Sequence, residues 1–146
     1  ARSNLNNYDK EILKKTSRFP DKIGASIEEF KFRDALSELL NLARLGNKYL
    51  AETEPWKLIA SDKERTATIL NIAIQISASL AILSEPFMPF CSKKLKLMLN
   101  LNNVSWNDAG HTILKNNHKI NNAYHLFEKI EDDKIKEQLE ILNVVT

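Results

Sequence analysis

Apolar residues recur at steps of three and four along much of this chain, the spacing that places them on one face of an α-helix. The first such stripe runs from residue 26 to about residue 53 and opens with Ser26-Ile27-Glu28-Glu29, which fits a capping box. Its apolar positions are Ile27, Phe30, Leu36, Leu39, Leu40, Ala43 and Leu50. The pattern predicts one long helix that begins near Ser26 and buries a single face.

A second capping-box sequence, Ser61-Asp62-Lys63-Glu64, opens a more apolar segment that Glu85-Pro86 brings to an end. Apolar residues cover more than half of its circumference, so this helix should be central and packed on several sides. They are Ile69, Leu70, Ile72, Ala73, Ile74, Ile76, Leu80, Ala81, Ile82 and Leu83. Polar side chains interrupt residues 69–83, which look too polar and too short to span a bilayer, so no membrane is expected.

Shorter elements flank these two helices. A short helix is predicted from Tyr8 to about Ser17, followed by a loop through Pro20 and Gly24. Pro86 and Pro89 form an elbow that restarts a helix to about Asn100. The residues expected inside that helix are Phe90, Leu95, Leu97, Met98 and Leu99.

Beyond residue 101 the pattern becomes irregular. Asparagine, glycine, histidine and tryptophan punctuate Asn102 to Asn122, and a final helix is predicted from about Asp132 to Leu142. The fold class is therefore all-α, an antiparallel helix bundle with a loop-rich C-terminal appendage. We divide it into a bundle over residues 1–100, truncated at its N-terminus, and a segment over residues 101–146 whose loop and helix pack on the bundle.

Composition narrows the class of protein. The chain has 146 residues and a formal charge of +2, too small by itself to indicate a nucleic-acid binder. Two lysine-rich clusters, around residues 10–18 and 93–96, are typical of solvated helix faces. A single cysteine, Cys91, excludes an internal disulfide and is expected to be a small buried hydrophobe; together with the absence of a signal-type N-terminus it favours the cytoplasm.

Catalytic and metal-binding patterns are not found in the sequence. His111, His118 and His125 lie seven residues apart, whereas helical metal ligands are spaced at i and i+4, and no cysteine or carboxylate joins them at ligand spacing. There is no phosphate-binding glycine loop and no nucleophile next to a base. We therefore expect no catalytic residue and no metal site in this chain.

The break between the first long helix and the next element is the most informative feature. Pro55 stops the helix, because it disfavours the helical conformation at Glu54, and Trp56 follows at the first turn of whatever comes next. An indole at that position can face outward, although composition alone favours a core anchor. Trp106, in the irregular segment, is expected to serve packing.

Several weak motifs occur in one order along the chain, which resembles the anticodon-binding domain of methionyl-tRNA synthetases. The resemblance covers about Phe30 to Asp132. It is carried by Asn47-Lys48-Tyr49, Pro55-Trp56, the central helix, Glu85-Pro86-Phe87-Met88-Pro89, Val104-Ser105-Trp106, Gly110-His111, His118-Lys119-Ile120 and Leu126-Phe127-Glu128-Lys129-Ile130.

The resemblance implies that Trp56, presented by Pro55, stacks on an anticodon base of the tRNA for methionine. It implies a parent enzyme, a methionine-tRNA ligase, that uses ATP, with zinc as an optional second cofactor, and no cofactor for this fragment. The partners would be the CAU anticodon loop and a catalytic domain of the same chain. The family's ATP-handling motifs and its asparagine and arginine base readers have no counterpart here, so the fragment should be inactive alone.

The sequence leaves alternatives open for the roles of several residues and for the function of the chain. Asn47 and Tyr49 are expected to be buried polar anchors that fix the break and not base readers. The Asn-rich segment from Thr112 to Asn122 is longer than the family pattern, which puts the loop geometry at His111 and His118 in doubt. A helical protein-interaction module without an RNA role is one alternative. The anticodon domain of a related class I synthetase for another aliphatic amino acid is the other.

Overall fold

The computed structural model describes residues 5–115 and 117–144, with side chains described through residue 142; residues 1–4, 116, 145 and 146 lie outside the described residues. Within those ranges the chain is helical and has no strand. The helices are α1 (Asn7–Thr16), α2 (Phe19–Glu28), α3 (Phe32–Thr53), α4 (Pro55–Leu58), α5 (Lys63–Leu83), α6 (Pro89–Met98) and α7 (Asp132–Val144). The all-α prediction is confirmed.

Helix α1 begins at a capping box that the sequence pattern did not point out. The Asn6 side chain accepts from the Asp9 amide at 2.8 Å, and the Asp9 carboxylate accepts from the Asn6 amide at 3.1 Å. These two bonds satisfy donors that a helix N-terminus otherwise leaves unpaired. The predicted extent of this helix is confirmed to within a residue at each end.

The predicted loop through Pro20 and Gly24 is wrong, because those residues belong to α2. Pro20 lies in the first turn of that helix, where its missing amide donor breaks no intrahelical bond. Ser26 lies inside α2, so its capping box does not form and α3 does not begin there. The chain instead turns at Phe30, which has a φ of 59°, and α3 begins at Phe32.

Helix α5 is the centre of the bundle, as predicted, and α1, α3, α4 and α6 pack around it. Its N-cap is Asp62, one residue after the predicted serine, and the Asp62 carboxylate accepts from the Arg65 amide at 2.8 Å. With 21 residues, α5 is long and apolar enough to cross a membrane by length and composition, contrary to the expectation from residues 69–83. Most of its apolar window is buried inside the fold, which is typical of a core helix.

Helix α6 follows the elbow at Pro86 and Pro89 but buries less than its composition predicts. Met98 and Leu99 are buried, whereas Phe90 is 81% exposed and Leu97 is 56% exposed. The two exposed side chains are seven residues apart and share one face of a ten-residue helix, and that face points away from α5. The prediction that Phe90 and Leu97 lie inside is therefore wrong. Cys91, also expected to be buried, is half-buried.

Polar side chains of α5 hold the irregular segment against the bundle. The buried Gln75 side chain donates to the Leu114 carbonyl at 2.7 Å and accepts from the amides of Ile113 and Leu114 at 2.9 and 3.1 Å. Ser79 accepts from the Gly110 amide at 3.0 Å. Gly110 has a φ of +78°, and a Cβ there would lie 2.9 Å from Ser17 Cα, so only glycine fits.

The last helix, α7, was expected to pack on the bundle. Each of its described side chains, from residue 132 to residue 142, is exposed, so the structure shows no burial of this helix. Residues 117–131 form neither helix nor strand, and part of this segment is bonded to α6: the Asn121 amide donates to the Met98 carbonyl at 2.8 Å. The boundary at residue 100 stays a prediction.

Candidate nucleic-acid interface

The break between α3 and α4 presents a tryptophan to solvent. Glu54 takes a left-handed conformation with a φ of 40° and ends α3, and Pro55 is the first residue of α4. Pro55 is buried, whereas Trp56 is 60% exposed. The change of direction at Glu54 therefore separates a buried proline from an outward-facing indole on adjacent residues.

The end of α3 beneath this break is anchored by a buried polar cluster of Asp9, Tyr49 and Arg65. Tyr49 donates to an Asp9 carboxylate oxygen at 2.7 Å. Arg65 binds the same carboxylate through both terminal nitrogens, with Nη2 at 2.9 Å from Oδ1. Asp9 and Tyr49 are fully buried, and the three residues join α1, α3 and α5. A paired and hydrogen-bonded carboxylate can be buried in this way.

The cluster sets the ionisation of its members. Burial raises the pKa of the Asp9 carboxyl, but the hydrogen bonds from Arg65 and Tyr49 outweigh burial, so the pKa of Asp9 lies below its ordinary value. Burial, together with the Asp9 carboxylate, raises the pKa of the Tyr49 phenol. The hydrogen bond to Asp9 raises the pKa of Arg65. At neutral pH the cluster is therefore a carboxylate, a guanidinium and a neutral phenol.

Tyr8 extends this support towards the surface. Its ring lies 5.6 Å from that of Tyr49 at a tilt of 42°, and its hydroxyl donates to the Glu52 carboxylate. Burial and that carboxylate raise the pKa of Tyr8 to about 12. The last two turns of α3 are thus bonded to α1 on both the buried and the solvent side, which holds the residues before Trp56 in place.

The surface around Trp56 combines an apolar face with a cation. Lys57 is exposed and forms an ion pair with Glu54 at 2.7 Å, and Ile59 is 56% exposed. An apolar groove, the feature that would favour a protein-interaction module, does exist between α3, α5 and α6, with Leu40 and Phe127 in its lining. Trp56 is not among the residues that line it.

The other predicted residues fall into two groups. Tyr49 is a buried polar anchor, as expected, but Asn47 is exposed, so that prediction is wrong for Asn47. The two residues are separated by about 200° around the helix and cannot both face the core. Trp106 is half-buried and packs on the core beside Gly24, where a Cβ would lie 3.7 Å from its Nε1.

His111, His118 and His125 do not form a metal-binding cluster. Each is exposed, and His118 bonds through Nε2 to the Leu99 carbonyl at 2.7 Å. In the described part of the chain no group of three or more His, Cys, Asp or Glu side chains could hold a metal ion.

Comparison with known proteins places this sequence in a family. The sequence model described as the anticodon binding domain of methionyl tRNA ligase matches residues 2–142. The chain belongs to this family. It is 52% identical over 139 residues to a methionine–tRNA ligase of Phocaeicola vulgatus, 50% identical over 143 residues to one of Cytophaga hutchinsonii, and 49% identical over 143 residues to one of Bacteroides fragilis.

These matches cover 94% to 97% of the chain but only 20% to 21% of the relatives, so the chain spans about a fifth of their length. The resemblance inferred from the ordered motifs is confirmed at the level of the family, and both alternatives are disfavoured. The anticodon-binding domain carries Trp56 on a surface whose support comes from distant parts of the chain.

The sequence analysis did not predict the buried cluster of Asp9, Tyr49 and Arg65. Asp9 and Arg65 are 56 residues apart and look like ordinary surface charges in a helical pattern. The available signal was local: Asp9 completes a capping box with Asn6. Its second role, as the acceptor for Tyr49 and Arg65, depends on how α1, α3 and α5 pack.

Proposed function

We propose that this chain recognises the anticodon loop of the tRNA for methionine and that Trp56 stacks on an anticodon base. The observation that supports the proposal best is the 60% exposed indole of Trp56 on a buried proline, within a domain of this family. Large aromatic side chains usually bury, so an exposed indole that follows a buried proline suits a ligand with a flat face.

The chemistry of an RNA loop matches this surface. Bases in a loop are unstacked and can lie on aromatic side chains, and each such stack contributes about 1–3 kcal/mol. Pro55 would act by positioning, because its fixed φ at the start of α4 sets the direction in which Trp56 leaves the chain.

Binding to an RNA stem-loop with CAU in its loop tests the proposal. The chain should bind this stem-loop at least several-fold more tightly than the same stem with a changed loop, because base stacking and contacts to base edges depend on the loop and contacts to phosphate do not. Fluorescence anisotropy of the labelled RNA measures both affinities. Equal affinity for the two loops would contradict the assignment.

The proposal extends to the protein in which such a domain works. The parent would be a cytoplasmic methionine-tRNA ligase that uses ATP, with zinc as an optional cofactor, and that carries a catalytic domain in the same chain. The 146 residues contain no nucleophile, base or phosphate-binding loop in a catalytic pattern.

We therefore expect the 146-residue chain to catalyse no methionine-dependent exchange of pyrophosphate into ATP. The physical reason is that nothing in its sequence supplies the groups that would bind ATP or stabilise transfer at the α-phosphate. A radiolabelled pyrophosphate assay with and without methionine is the measurement. Exchange that rises with methionine and with the concentration of the purified chain would show that a catalytic site has been overlooked.

A further inference from the structure

A groove lined by five cationic side chains lies between α3 and the corner at which α1 turns into α2. We call it the basic groove; its volume is about 360 Å³ and its cations are Lys15, Arg18, Lys22, Arg44 and Lys48. No carboxylate is among its lining residues. A net charge of +2 does not reveal this site, because its cations come from three helices and from Arg18 between α1 and α2, and they are 33 residues apart at the extremes.

Two of the five cations are available to a ligand. Lys15, Lys22 and Lys48 form ion pairs with Glu11, Glu38 and Glu52, which do not line the groove, at 2.6, 3.9 and 3.7 Å. Across the described residues neither Arg18 nor Arg44 has a recorded ion pair, and both are exposed. Arg44 is oriented by a bond from Nη1 to the Asn41 side-chain oxygen at 2.9 Å.

The floor of the basic groove is apolar and comes from Phe19 and Leu45. The Lys22 ammonium lies 5.9 Å from the centre of the Phe19 ring, within cation–π distance. Guanidinium groups suit a phosphodiester strand, because each guanidinium can bind a phosphate with two parallel bonds.

The basic groove and the proposed recognition surface are linked by helix α3, which lines the groove and ends just before Pro55 and Trp56. Arg44 and Lys48 lie on α3, the helix that ends at Thr53 just before Trp56. At a rise of 1.5 Å per residue, Arg44 lies about 13 Å before the end of that helix, a distance that a few nucleotides can span. The bond from the Tyr8 hydroxyl to the Glu52 carboxylate joins α1 to the last turn of α3.

We propose that the basic groove binds the phosphodiester backbone of the RNA next to the loop whose base stacks on Trp56, with Arg18 and Arg44 as the principal phosphate ligands. This inference rests on the proposed function and adds a second, sequence-independent contact to it. Contacts of this kind position an RNA without reading its bases.

The test compares two double variants with equal loss of charge. Arg18→Gln/Arg44→Gln removes the two guanidinium groups of the groove, and Lys93→Gln/Lys94→Gln removes two exposed charges on α6. Affinity for the CAU stem-loop and for the changed-loop stem-loop is measured by anisotropy over a range of salt concentrations. The measurements use the 146-residue chain and, in parallel, the proposed parent ligase that contains it.

The groove variant should bind both RNAs about three- to tenfold more weakly while keeping their affinity ratio. The slope of log affinity against log salt should fall in magnitude by about 1.4, the value for two phosphate contacts on a single strand, and the α6 variant should keep both the affinity and the slope.

Three other outcomes overturn the proposal in distinguishable ways. If the groove variant matches the α6 variant while Trp56→Ala still weakens CAU binding, the groove proposal fails and the proposed function stands. If the groove variant loses the affinity ratio, the groove reads bases and the assignment to the backbone is wrong. If the wild-type protein binds neither RNA, both proposals fail.

Discussion

Asp9→Asn should lower the free energy of unfolding by about 2–3 kcal/mol. Removing one partner of a buried ion pair leaves the other uncompensated and typically costs roughly 3–5 kcal/mol, and the lower figure applies here because the Arg65 side chain is 21% exposed and can recruit water. The amide keeps the shape of Asp9 but cannot accept from Tyr49 and both nitrogens of Arg65 while neutralising the guanidinium. Urea unfolding followed by circular dichroism measures the change.

The same substitution should remove part of the acid sensitivity of the fold. The pKa of Asp9 in the folded chain is below its ordinary value, so its contribution to stability is complete above about pH 5 and is lost as the pH falls through the folded pKa. Wild type should therefore lose stability more steeply than Asp9→Asn below about pH 5. The free-energy difference between the two proteins should shrink as the pH falls.

Glu11→Gln is the matched control for Asp9→Asn. Glu11 is on the same helix, also pairs with a cation, Lys15 at 2.6 Å, and is exposed. A surface pair contributes little because solvent and salt screen it, so this variant should leave the urea midpoint nearly unchanged. If Asp9→Asn unfolds at the same urea concentration as Glu11→Gln, the buried cluster does not hold α1, α3 and α5 together as we argue.

Trp56→Ala should weaken binding of the CAU stem-loop by roughly 1–3 kcal/mol, the usual contribution of one base stacked on an aromatic side chain. The indole is 60% exposed and follows a buried proline, so its removal should change the stability of the domain little. Trp56→Phe should recover part of the lost affinity, because a phenyl ring keeps a flat face of smaller area. Anisotropy titration of labelled RNA measures all three proteins.

Trp106→Phe separates a binding role from a packing role. Trp106 is half-buried against the core beside Gly24, so the smaller ring should leave a gap and lower the unfolding midpoint. Its effect on RNA binding should be close to zero. If Trp56→Ala has the wild-type helical spectrum and wild-type affinity for the CAU stem-loop, stacking by Trp56 is excluded.

The local sequence pattern predicts a structural feature correctly where that feature depends on residues close together in the chain. The identity of α5 as the central helix followed from apolar residues around most of its circumference, and no arrangement of partners could leave such a helix on the surface at low free energy. The break at Pro55 followed from the missing amide and the restriction on Glu54. The order of the motifs along the chain likewise indicates the family without information on how the helices pack.

The local rules failed where one residue type suits two structures. Pro20 indicates a loop by residue type, but a proline fits the first turn of a helix equally well, and α2 forms there. Ser26 and Glu29 had the spacing of a capping box inside a segment that was already helical. Only the turn at Phe30 shows where the two helices divide.

Only the tertiary structure shows which polar residues from distant parts of the sequence lie close enough to bond or to form one site. Tyr49 is 40 residues from Asp9, and Arg65 is 56 residues from it, so their bonds depend on the packing of three helices and have no period along the sequence. The basic groove is likewise assembled from cations on α1, α2 and α3 that look like solvated faces when each helix is considered alone. The sequence by itself determined the central helix α5, the break at Pro55 and the family. The packing of α1 on α3 and α5 decided the buried charge, and the packing of α1 and α2 on α3 decided the clustered cations, because electrostatic energy depends on distance in space and not along the chain.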